Sequence, residues 1–235
     1  MDKERIGIMG GTLDPVHDGH LRMARCALSR ARLSRVLMLP SGNPPHKPHI
    51  TPAEDRWRML VAACAGEEGL EPCREELDRS GVIFTVDTLS ILREKYPQAE
   101  LFYLIGADML MRLHRWYRLE DVLQMCAFIV FPRTSAYTPQ QLYDERKKLT
   151  ALGARIQLMD MEVLDASSTD ARQAIQEGGS TSGDSAGSTP SVSSAYQGYC
   201  CAPMVLLGKQ TLSGKAASPC ILTRASSRAP QPLPK

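Results

Sequence analysis

The sequence predicts an α/β fold, a doubly wound parallel sheet with helices on both faces. Three observations predict it. Short apolar runs recur as IGIM (Ile6 to Met9), VLMLP (Val36 to Pro40), LFYLIG (Leu101 to Gly106), AFIVFP (Ala127 to Pro132) and RIQLM (Arg155 to Met159). Helix-period segments fall between them, and runs without polar alternation are the mark of strands buried on both faces. Finally, glycine or proline follows most of the runs, so loops gather at the strand ends where ligands bind in such sheets.

The elements follow in order. After Gly10 and Gly11, the residues Leu21, Ala24, Ala27 and Leu28 recur at helical spacing. Thr51, with Pro52 behind it and Glu54 three residues on, predicts a second helix opened by a capping box. A strand is expected around Leu70 to Leu77 and a helix over about Val86 to Lys95, which Pro97 stops. A polar helix is expected from about Gln140 to Leu152, ahead of the last strand. From Ser180 onward STSGDSAGSTPSVSS opens a low-complexity stretch without sustained period, so a domain over 1–179 and a disordered tail over 180–235 are expected.

Composition excludes more than it selects. The 235 residues suit one sizeable domain. Five of the 28 basic residues and one of the 26 acidic residues lie after residue 179, leaving 23 and 25 before it. A slightly acidic body argues against a general nucleic-acid surface and leaves phosphate recognition to local clusters. Seven cysteines, irregularly spaced and without a CxxC pair, outline neither a zinc site nor a disulfide framework. The charged start Asp2-Lys3-Glu4-Arg5 and the lack of any run near the roughly 18 apolar residues of a membrane span point to a cytoplasmic protein with no membrane partner. Homo-oligomer formation stays open.

The segment GGTLDPVHDGH (Gly10 to His20) carries the chemistry. Gly10 and Gly11 after a strand let backbone approach a phosphate, Thr12 follows them, and the next helix offers free amides and a positive dipole end. His17 and His20, three apart at that helix entrance, suit hydrogen bonding to phosphate oxygens as charge builds on departing pyrophosphate. Read alone, one would be a helix cap and the other a packed surface histidine. Metal binding by the pair finds no carboxylate or cysteine at supporting spacing.

Other candidates keep two readings on the residues alone. His46 and Lys47 end a proline loop, as phosphate-binding cations or as solvated side chains. Thr85 suits a helix cap or a substrate contact. Asp108, after a strand and a glycine, suits ribose hydroxyls or a helix cap. Trp116, with Tyr117 beside it, offers a stacking face or a core ring. Arg133 follows a buried strand, where a guanidinium can engage two phosphate oxygens. Ser168 and Thr169 open a short helix with Arg172 one turn later, as an anion site or as a simple cap.

GGTLDPVHDGH resembles the T/HxGH signature of the nucleotidylyltransferase superfamily, and specifically nicotinate (nicotinamide) mononucleotide adenylyltransferases. PSGNPPHK (Pro40 to Lys47), FTVDTL (Phe84 to Leu89), IGADML (Ile105 to Leu110), RWYRLEDV (Arg115 to Val122) and SSTDAR (Ser167 to Arg172) are similar to that family's further segments, in order. The resemblance spans about residues 5 to 178. It implies a Rossmann-like fold and transfer of the adenylyl group of ATP to nicotinate mononucleotide, with magnesium arriving on the ATP. It implies catalysis by His17, His20 and Arg172. It further implies ATP contacts from Gly10, Gly11, Thr12, Ser168 and Thr169, and mononucleotide contacts from His46, Lys47, Thr85, Asp108, Trp116, Tyr117 and Arg133. Phosphopantetheine adenylyltransferases and cytidylyltransferases share the first motif and stand as the alternative acceptor classes; a non-catalytic nucleotide-binding module is the alternative of another kind.

Two departures stand out. The isoleucines usual in ISSTxIR are Ala166 and Ala171, which removes methylenes worth about 0.8 kcal/mol each when buried. The family's closing amphipathic helix is not recognisable after Gly179, and the abrupt change of composition predicts a shifted reading frame or a replaced C-terminus, which the other frames of the gene test.

Overall fold

Residues 3–42, 50–132 and 137–159, together with Ser168 and Arg172, are described by a computed structural model. Six parallel strands form one sheet in the order β3-β2-β1-β4-β5-β6, with β1 over Arg5–Gly11, β2 over Arg35–Pro40, β3 over Leu70–Pro72, β4 over Glu100–Gly106, β5 over Ala127–Phe131 and β6 over Ile156–Leu158. Helices α1 (Asp18–Arg30), α2 (Ala53–Cys64), α3 (Thr85–Lys95), α4 (Ala107–Leu110), α5 (Leu119–Met125) and α6 (Pro139–Ala151) connect them. The expected α/β sheet is present, and the tail from residue 180 lies outside the described residues.

Alternation along the strands makes two cores. Ile6 and Ile8 of β1 face a cluster with Val86, Leu89 and Leu92 of α3, Val122 and Leu123 of α5, and Leu142 and Leu149 of α6. Met9, with Val36 and Met38 of β2, faces the other, where Leu21, Ala24 and Ala27 of α1 pack beside Leu60 and Ala63 of α2. Both faces are thus covered, as the absence of charged residues after the first position of β1, β2 and β4 and throughout β5 requires.

The sequence direction of the crossovers reverses between β1 and β4. The β1–β4 ladder pairs Arg5 with Glu100 through Ile8 with Tyr103, while β1 runs on to Gly11 and β4 to Gly106. That reversal leaves a crevice beyond the carboxyl ends of the two strands, the general ligand position of open α/β sheets.

At the opposite edge the strand starts are linked by charge. Arg5 bonds Glu100 at 3.3 Å, Arg155 bonds Glu100 at 2.9 Å, and Arg35 reaches both Glu4 and Glu71.

Three expectations are corrected. The strand expected over Leu70 to Leu77 stops at Pro72: Cys73 makes the last ladder bond, its N–H to the Met38 carbonyl at 2.9 Å, and the chain then turns, with Leu77 and Asp78 donating to the Arg74 carbonyl. The capping box of Thr51 and Glu54 does not form; Pro52 is the cap residue of α2 and the backbone groups of Thr51 go elsewhere, as described below. Phe84, not Thr85, occupies the cap position of α3, with the Asp87 carboxylate accepting its N–H at 3.3 Å.

Candidate active site

The loop after β1 leads directly into α1, and His17 is the residue at its cap position, extended at φ −140° and ψ 170°. His20 folds back so that its Nδ1 accepts the His17 N–H at 3.3 Å, with the two rings 3.8 Å apart. A neutral imidazole accepting at Nδ1 carries its proton on Nε2, so the hydrogen bond assigns His20 as an Nε2 donor. The capping arrangement and a role towards phosphate are therefore compatible in one pair. His17 is buried and His20 partly exposed.

The two glycines differ. Among the described residues, a Cβ on Gly11 would meet only Leu13, at 3.9 Å. A Cβ on Gly10 would lie 2.1 Å from the Tyr103 hydroxyl. Gly10 is thus required by a neighbouring strand as well as by any phosphate. Thr12 is half-buried, and Leu13 beyond it holds a positive φ of 47°.

Ser168 and Arg172 come to this loop from the far end of the fold. Ser168 Oγ donates to the Pro15 carbonyl at 3.1 Å and Arg172 Nη1 donates to the Asp14 carbonyl. Both have helical backbone. The structure therefore brings the first and last motifs of the sequence together. Thr169 lies outside the described residues.

Across the crevice, Gly106 caps α4 and Asp108 sits half-exposed in its first turn, so Asp108 is not the cap residue. Trp116 is half-buried, its edge set against Tyr103 at 5.5 Å and 81° and against Phe128 at 6.1 Å and 69°. Core packing fixes the indole and leaves part of it accessible, so it is neither a wholly buried ring nor a free one. Tyr117 is exposed and stacks on Phe84, ring centroids 4.4 Å apart. Thr85, one residue inside α3, hydrogen-bonds the Tyr103 hydroxyl, and burial pushes that phenol well above the ordinary tyrosine range. His46, Lys47 and Arg133 lie outside the described residues.

The sequence reading missed the groups that hold these loops. Asp14, nearly buried, accepts the Thr51 N–H on Oδ2 at 3.1 Å. Arg56 is fully buried and donates to the carbonyls of Thr12, Ser41, Gly42 and Thr51. Glu76 accepts from the Thr88 hydroxyl at 2.9 Å, and burial raises its carboxyl above the ordinary range. A signal existed for Arg56, because it stands four residues before Leu60 and eight before Cys64 on the apolar stripe of α2.

Among the described residues no group of three or more His, Cys, Asp or Glu converges as a metal cage, and no helix is long and apolar enough to cross a membrane. The imidazoles of His17 and His20, the hydroxyls of Thr12 and Ser168 and the guanidinium of Arg172 are groups that can donate to phosphate oxygens.

A family model described as cytidylyltransferase-like matches residues 8–174. A curated protein of Clostridium novyi, named as a probable nicotinate-nucleotide adenylyltransferase, is 38% identical over 176 residues, 74% of this chain and 88% of its own. A like-named Synechococcus protein is 40% identical over 180 residues, 76% of this chain and 86% of its own. The solved Plasmodium falciparum nicotinic acid mononucleotide adenylyltransferase complexed with NaAD matches with a TM-score of 0.61 over 72% of this chain and 83% of that one; at 17% identity this is a likeness of fold. Sheet order, the meeting of the first and last motifs and relatives of this identity over most of their length agree: the chain belongs to the nicotinate-nucleotide adenylyltransferase family of cytidylyltransferase-like proteins.

Proposed function

We propose that this chain joins the adenylyl group of ATP to nicotinate mononucleotide, releasing pyrophosphate. The observation that carries the reading is the docking of Ser168 and Arg172 on the Asp14–Pro15 turn, which brings the first and last motifs to one strand end, where this reading puts the triphosphate. A mononucleotide phosphate oxygen attacks the α-phosphorus of ATP, and the bond from that phosphorus to the bridging oxygen of pyrophosphate breaks. The attacking phosphate is already anionic at neutral pH, so the chain has to position and to stabilise charge, and no general base is needed.

His17, His20 and Arg172 take the charge on the departing pyrophosphate, with His20 donating from Nε2. Gly10, Gly11, Thr12, Ser168 and Thr169 hold the triphosphate with backbone amides and hydroxyls. His46, Lys47 and Arg133 hold the mononucleotide phosphate, Asp108 its ribose, and Thr85, Trp116 and Tyr117 its pyridine ring. Magnesium enters as part of the MgATP substrate, held by phosphate oxygens and water. A cytoplasmic setting belongs to the same proposal, supported by the free thiols of Cys26, Cys64, Cys73 and Cys126.

The test is pyrophosphate release from ATP and magnesium with each acceptor in turn: nicotinate mononucleotide, its amide, phosphopantetheine and a cytidylyl-accepting phosphate with CTP. Release with nicotinate mononucleotide is expected. Release only with another acceptor, or ATP binding with no release at all, overturns the reading.

A further inference from the structure

Arg56 occupies a position in α2 where the helix otherwise presents Leu60, Ala63 and Cys64, and none of it reaches solvent. A guanidinium there loses its hydration, so burial lowers its pKa while the Asp14 carboxylate nearby opposes the shift. Its hydrogen bonds go to backbone carbonyls: Nε to Thr51 at 3.0 Å, Nη1 to Thr12 at 2.9 Å and Ser41 at 2.8 Å, and Nη2 to Gly42 at 3.3 Å. Fixing a surface helix to a sheet does not call for a buried cation, since apolar packing does that more cheaply.

What the four carbonyls share is location. Thr12 follows β1 in the loop that carries His17 and His20. Ser41 and Gly42 follow β2, and Thr51 precedes α2, so one planar group grips the chain on either side of residues 43–49 and ties both points to the β1 loop. Two further contacts tighten the same set. Gly42 is held from the other side by Glu76, whose carboxyl accepts its N–H, and a Cβ on Gly42 would lie 2.2 Å from the Glu76 carbonyl oxygen. Asp14 receives the Thr51 N–H on its carboxylate and Arg172 on its carbonyl.

We infer that Arg56 is a positioning residue for adenylyl transfer: its guanidinium sets the spacing between the loop after β1 and the loop after β2, and through them between ATP and its acceptor. The inference rests on the transfer reaction proposed above. In-line attack depends on the separation of two phosphates held by different loops, whereas binding of either substrate alone does not. A loosened spacing therefore lowers turnover at saturation more than it weakens the binding of ATP. Arginine is needed because its fork reaches carbonyls in three directions, while a lysine ammonium donates from one point.

The experiment compares the wild-type chain with Arg56→Lys and Arg56→Ala, the latter also with added guanidinium ion, measuring thermal melts, equilibrium ATP binding and steady-state kinetics. Arg56→Lys is expected to melt cooperatively above the assay temperature and to bind ATP within about threefold of wild type, with kcat lowered about 10²-fold. Guanidinium is expected to restore part of the kcat of Arg56→Ala in a saturable way. Folded variants with kcat within about threefold of wild type overturn the inference. So does failure of both variants to fold, since Arg56 would then serve the fold alone. Wild-type turnover in the same assay separates failure of the reaction from failure of this assignment.

Discussion

At His20 one hydrogen bond decides which ring nitrogen carries the proton. The His17 N–H occupies Nδ1, which puts the proton of a neutral His20 ring on Nε2. His20→Ala removes that donor and the capping bond together. Losing one charge-stabilising donor costs roughly 10²-fold or more in kcat, whereas losing a cap costs about 1 kcal/mol of stability. Turnover is therefore expected to collapse while the melt moves only slightly; near-normal turnover would remove His20 from the charge-stabilising role. Glu76 gives a residue-scale prediction of another sort. Its carboxyl is raised from the ordinary value of 4.5 by burial, with the Thr88 hydroxyl and the Gly42 N–H opposing. A folded carboxyl with a raised pKa binds its proton more tightly than the unfolded one, so its contribution is complete below pH 4.5 and lost as pH rises through the raised value. Glu76→Gln, which keeps an acceptor and removes the titration, is expected to gain stability relative to wild type as pH rises from 4.5. Melting curves across pH check this, and a difference independent of pH would refute it. His17, His20 and Trp116 were legible because their residue types are scarce and chemically suggestive. Arg56 and Asp14 were not, since their partners are carbonyls and amides from distant loops, which no side-chain pattern displays.

Elements were legible where local pattern and tertiary demand coincide. Thr138 accepts from the Gln141 N–H at 3.2 Å and Gln141 returns to the Thr138 N–H at 2.8 Å, with Pro139 at the first helical position, so α6 starts as local rules dictate. At α2 the same kind of signature misled. Asp14, 37 residues away, takes the Thr51 N–H that Glu54 would accept in a capping box, and Glu54 itself accepts from Arg74 at 2.6 Å. Helices α4 and α5, of four and seven residues, are too short to show a helical period and were not separated in the sequence. Contact between elements also gives a test. Gly10 of β1 faces Tyr103 of β4, and Gly10→Ala would force a methyl to within 2.1 Å of the hydroxyl. Overpacking of this kind costs about 1–3 kcal/mol, and Tyr103→Phe in the same chain is expected to recover part of it. Denaturant midpoints of the two single variants and the double variant measure this; strict additivity would show that the two residues do not meet.

On the scale of the whole molecule the sheet has a reactive edge and a braced edge. Crevice, loops and α1 entrance lie beyond the carboxyl ends of the strands, while the arginine and glutamate pairs link their starts. Glu100 receives both Arg5 and Arg155, at 3.3 and 2.9 Å, with side chains 31–53% exposed. Pairs so exposed are worth about 0–1 kcal/mol each and weaken in salt. Glu100→Gln is expected to lower the melting temperature slightly at low salt, less at high salt, and to leave kcat unchanged; an altered kcat would show that the two edges are coupled. The loop-bearing end was legible in the sequence, because glycine or proline follows most of the apolar runs, whereas the charge pairs at the strand starts join residues far apart in the chain and were not. What residue order alone could not supply was closure of the site across the chain, since Ser168 and Arg172 meet Pro15 and Asp14 over separations of 153 and 158 residues. That span has a consequence for the protein's birth. A ribosome releases the histidine loop early and the residues that close over it more than a hundred codons later, so a growing chain cannot assemble both halves of the site until Arg172 has left the exit tunnel. Nascent chains abandoned before that point would carry only the first half of the site.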